Sequence, residues 1–193
     1  VLQQTMDQFA TLTGRQYHLF DYEGAPDAQR IIVVMGSGAE TVAETVAGLQ
    51  AQGEKVGVLK PRMYRPFDGA ALLAALPVTT RAIAVLDRTK EPGAEGEPLY
   101  KDVATAILDA FSGGNLPFAQ VPKVIGGRFG LSSKEFTPGM VCSIFDNLNA
   151  AQPRHNFTVG ITDDVTHTSL PWDERSAPAT STDTFECLFY GLG

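Results

Sequence analysis

Three stretches of this sequence place chemically capable side chains on glycine-bearing turns. The first is Gly36-Ser37-Gly38, between an unbroken apolar run from Ile31 to Met35 and a helical pattern carried by Val42, Val46 and Leu49. A glycine turn that opens a helix presents unpaired amides to an anion. It departs from a dinucleotide fingerprint in two places. Thr41 stands where the third glycine packs helix on strand, and Lys60 and Arg62 end the second strand where a ribose-binding carboxylate belongs. No lysine follows the turn as a triphosphate loop requires. The turn is therefore expected to be architectural, with amides still open to an anion. Ser37 with Glu40 fits a capping box on the helix behind it.

The second stretch, residues 126–136 (GGRFGLSSKEF), carries Arg128, Ser132, Ser133 and Lys134. That group can hold a phosphate or carboxylate, or dock a neighbouring domain. The third, residues 87–98 (DRTKEPGAEGEP), carries Arg88, Lys90 and Glu91. It is long for a strand-to-helix connection, which usually takes about 2–6 residues, so a role beyond turning the chain is expected. Arg88 and Lys90 share the anion reading, with surface pairing to nearby carboxylates as the alternative.

Elsewhere the signals are weaker. Asp163, Asp164 and His167 are neighbours in sequence, but one histidine and two carboxylates in a polar run make a poor ligand set, and no metal site is expected. His18 and His155 have no partner readable from sequence. No Ser, His and Asp share the local spacing that marks a nucleophile, so no catalytic residue is assigned. Cys142 and Cys187 stand apart in apolar surroundings, the pattern of small buried hydrophobes in a reducing, cytoplasmic setting.

These turns need a frame to hold them. Apolar runs at 31–35, 55–60, 81–86, 121–125 and 156–161 read as strands. Helical spacing of Leu2, Met6, Phe9 and Leu12 up to Gly14 predicts a first helix, and Leu72, Leu73 and Leu76 a helix around 69–76. A third is predicted over 99–111, with Val103, Ile107 and Leu108 inward and Gly113-Gly114 closing it, and a fourth from Thr137-Pro138 to about 149. Residues 17–27 read as a loop. The alternation predicts an α/β fold: a doubly wound, mostly parallel sheet of about five strands, helices on both faces and right-handed crossovers. In such sheets ligands and partners meet the carboxyl ends of the strands, where all three glycine-bearing stretches fall.

Residues 1–161 are assigned to this domain. Residues 162–193 read as an irregular linker and a half-buried strand over 184–190, the start of a further domain. The first residues lack a basic region and an apolar core, so they are read as a helix of a longer protein and not as a signal peptide. A net charge of −7 argues against nucleic acid or an anionic membrane as the main partner. No stretch approaches the roughly 20 apolar residues of a membrane helix.

Several long strings resemble the pyruvate:ferredoxin (flavodoxin) oxidoreductase family, in the internal segment after its N-terminal domain. They are residues 12–40, VGVLKPRMYRPF (56–67), VLDRTKEPGAEGEPLYKDV (85–103), GGRFGLSSKEFTP (126–138) and FTVGITDDVTHTSLP (157–171). The resemblance implies a fold similar to the C-terminal domain of transketolases. It implies a parent enzyme that makes acetyl-CoA and CO2 from pyruvate and CoA on thiamine diphosphate and Mg2+. Electrons would pass through [4Fe-4S] clusters to ferredoxin or flavodoxin, in a homodimer. The closely spaced cysteines of a cluster and the Gly-Asp-Gly…Asn signature of thiamine enzymes are both absent from this chain, so no cofactor ligand is carried over. The expectation is a non-catalytic, interdomain piece of that enzyme. The alternatives are a free-standing binder of an anionic small molecule such as CoA at the strand-end loops, and, less favoured by the turn, a nicotinamide dehydrogenase.

Overall fold

The computed structural model describes residues 1–174; Cys187 and the strand expected over 184–190 lie outside the described residues. Chain order is α1 (Leu2–Thr13), β1 (Phe20–Gly24), β2 (Arg30–Val34), α2 (Gly38–Ala51), β3 (Val56–Pro61), α3 (Gly69–Ala75), β4 (Ala82–Asp87), α4 (Pro98–Ser112), β5 (Lys123–Arg128), α5 (Pro138–Asn149) and β6 (Phe157–Thr158).

The strands form one six-stranded sheet in the order β1-β3-β2-β4-β5-β6, all parallel except β1, which runs antiparallel to β3. Strands β3 and β4 are buried along their whole length, as expected of apolar runs covered on both faces. Alternate residues feed two cores. Ile32, Val34, Val58, Ala84 and Leu86 pack under α2 and α5, whereas Ile31, Val33, Leu59, Ile83 and Val85 pack under α3 and α4. The doubly wound, mostly parallel architecture is thus the one the alternation predicts.

Three details differ from the sequence reading. The loop expected over 17–27 contains β1, a sixth strand; its sequence, FDYEG, mixes charged and aromatic residues because an edge strand has one open margin. Leu108, expected to point inward, is 61% exposed, and Leu99 and Ala106 fill that face of α4 beside Val103 and Ile107. The crossovers do not all share one hand. Both β4→α4→β5 and β5→α5→β6 step outward in the same direction, yet α4 and α5 lie on opposite faces of the sheet, so their hands are opposite. The connection through α5 is thus an exception to the right-handed rule for parallel strands of one sheet. Here α5 packs beside α2, with contacts to β2 and β4, and β6 is two residues long.

Helix ends follow local chemistry. Asp68 caps α3, its carboxylate accepting the Ala71 amide at 3.0 Å, and Gly14 closes α1 in the left-handed conformation, φ 71°. Pro138 opens α5 at its first turn as predicted, where a missing amide costs nothing.

Candidate functional site

In the parallel part of the sheet, β2 is flanked by β3 on one side and β4 on the other. The chain reverses its direction of travel between β2 and β4, and a crevice opens there at the carboxyl ends. All three glycine-bearing stretches contribute to it. A cavity of about 220 Å3 is lined by Ser37, Gly38 and Thr41 at the start of α2, Arg88 after β4, and Gly130 and Lys134 after β5, with Phe129 and Phe136 as an apolar wall. The two phenylalanine rings lie 4.6 Å apart between centroids, tilted by 44°. Gly38 is required beneath them, since a Cβ there would come within 2.6 Å of the Phe129 ring.

The polar side of this pocket is electropositive. Arg88 Nε donates to the Gly130 carbonyl at 3.3 Å, which aims the side chain across the crevice. Among the described residues neither Arg88 nor Lys134 pairs with a carboxylate. The capping box does not form. Ser37 makes no side-chain bond to the helix, and Glu40 turns instead to the buried Lys60, 3.3 Å away, which Glu23 also holds at 2.7 Å. Gly36, at φ 74°, makes the turn that a side chain would strain.

The remaining candidates are not brought into the pocket. Lys90 stands exposed farther along its loop. Ser132 and Ser133 form a tight 3-10 turn with left-handed φ of 53° and 57°. Arg128 faces the other way. Its Nε pairs with Glu97, and its Nη1 donates to the Asn156 carbonyl at 3.1 Å. Register explains this: Arg128 is the partner of Asp87 on β4 and of Thr158 on β6, so its side chain shares the α4 face with them. Asp163, Asp164 and His167 do not form a ligand set. The Asp164 carboxylate accepts the Ser169 amide at 2.7 Å and the Thr166 hydroxyl at 3.1 Å, which staples its own loop.

The cluster around Arg128 was not legible as a unit. Asp87, 6% exposed, accepts the amides of Leu99 and Tyr100 at 3.0 and 3.2 Å and so caps α4 from the end of its own strand. Burial pushes its carboxyl above the usual range, against the pull of those two amides. Glu97, 3% exposed, accepts the Glu91 amide at 2.6 Å on the oxygen that Arg128 leaves free. His155 accepts the Gly126 amide at Nδ1, 3.0 Å, and its ring lies 4.9 Å from that of Tyr100. Burial, and then Arg128, hold this imidazole below its ordinary pKa, so it is the neutral acceptor the amide needs. The one available signal was Glu97-Pro98, an acid immediately before a helix-opening proline. These groups fix the long loop 87–98 at both ends. Cys142 is buried on α5, and burial pushes its thiol up.

A three-layer α/β/α sheet with an antiparallel edge strand and a crevice at its switch point defines a domain class that hosts many activities. The family within that class is set by comparison. Residues 28–130, more than half of the chain, match the model described as pyruvate:ferredoxin oxidoreductase core domain II, and the chain belongs to that family. Over 193 residues it is 58% identical to the pyruvate-flavodoxin oxidoreductase of Trichormus variabilis. It is 54% identical, again over 193 residues, to the pyruvate:ferredoxin oxidoreductase of Moorella thermoacetica. In both cases all of this chain is covered and 16% of the relative. A solved 2-oxoglutarate:ferredoxin oxidoreductase from Magnetococcus marinus aligns over 74% of the chain, and 21% of its own, at 21% identity with a TM-score of 0.46.

Proposed function

We propose that this chain serves as an interdomain structural domain within a pyruvate:ferredoxin (flavodoxin) oxidoreductase. The whole enzyme would convert pyruvate and CoA to acetyl-CoA and CO2 and pass the electrons to ferredoxin or flavodoxin. The observation that carries the reading is the family match to a core domain, together with relatives in which this chain accounts for 16% of the length. Thiamine diphosphate, Mg2+ and [4Fe-4S] clusters would be held by other parts of the polypeptide. Among the described residues no three His, Cys, Asp or Glu side chains gather at one point. A homodimer in the cytoplasm, with ferredoxin or flavodoxin as the soluble partner, completes the proposal, and the domain boundary near 161 belongs to it.

The test uses this chain and the full-length enzyme side by side. Pyruvate-dependent dye reduction and brown iron–sulfur absorption are expected of the full-length enzyme alone. Either property in the isolated chain would overturn the reading.

A second reading is favoured by the convergence of Ser37, Gly38, Arg88 and Lys134 on one crevice. It makes the domain a binder of an anionic small molecule. Calorimetry with CoA, thiamine diphosphate and NAD separates the two readings, and failure of all three to bind below millimolar concentration removes the second.

A further inference from the structure

We draw no further inference here: the strongest candidate, the electropositive crevice of Ser37, Gly38, Arg88 and Lys134 at the start of α2, belongs to the site already described, and beyond a helix amino terminus and two exposed cations nothing among the described residues selects one anion over another.

Discussion

Two groups of charged residues sit at the carboxyl ends of the strands, on opposite faces of the sheet, and they have opposite characters. Around Arg128 every charge has an assigned partner: Glu97 for the guanidinium, the Glu91 amide for the other Glu97 oxygen, two α4 amides for Asp87. Around Ser37 the cations Arg88 and Lys134 face a crevice with no carboxylate against them among the described residues. The difference shows that residue type does not identify a site. Arginine next to a glycine-rich turn describes both groups, but one is consumed in holding a loop and the other is left available.

That contrast can be broken in four ways. The largest effect is expected from Glu97→Ala, which strands Arg128 in a buried site; breaking a buried pair from one side costs about 3–5 kcal/mol. Urea unfolding of the chain measures it, and a change under about 1 kcal/mol would show that the cluster is not a unit. Next is Gly127→Ala. A Cβ there would come within 2.1 Å of the Phe157 ring, and overpacking of this kind costs about 1–3 kcal/mol. Because β6 is two residues long, loss of amide protection should concentrate in residues 156–170, which hydrogen exchange resolves.

A smaller effect is set by pH. His155 has a folded pKa below its ordinary value near 6.5, so the unfolded chain takes up the proton first. Its contribution to stability is complete above that ordinary value and is lost as pH falls through the depressed one. Denaturation midpoints between pH 7 and pH 5 should therefore drop, and the slope should flatten in His155→Ala. The smallest effect on stability belongs to Arg88→Ala and Lys134→Ala, within about 0.5 kcal/mol as for ordinary surface changes. If the crevice takes an anion, the same two variants weaken phosphate or CoA binding measured by calorimetry. A stability loss comparable to that of Glu97→Ala would instead place them in the folding framework.

How much of this was legible follows the same division. Strands β2, β3 and β4 were readable because runs such as IIVVM and RAIAVL are apolar on both faces, which only a covered parallel strand needs. Strand β1 was not, since an edge strand needs few apolar residues and FDYEG offers no alternation. The pocket was half legible. Ser37, Gly38, Arg88 and Lys134 carried the right chemistry, but the sequence could not distinguish Arg88 from Arg128. That choice depends on register: Arg128 pairs with Asp87, whose side chain faces α4, whereas Arg88 lies one residue beyond the strand and turns the other way. The capping box failed for a tertiary reason, because buried Lys60 draws on Glu40 from a neighbouring strand.

The two margins of the sheet carry one more consequence. On one side β1 is five residues long, and its Asp21 and Glu23 pair with Arg62 and Lys60. On the other, β6 ends after two residues, and the returning chain closes over it as Thr158 bridges Ser169 and the Leu170 amide donates to the Thr158 carbonyl at 2.8 Å. Neither margin offers a long, flat, apolar ladder to a passing strand. In relatives about six times this length, where many partly made sheets coexist during synthesis, blunt margins of this kind disfavour pairing with a wrong neighbour.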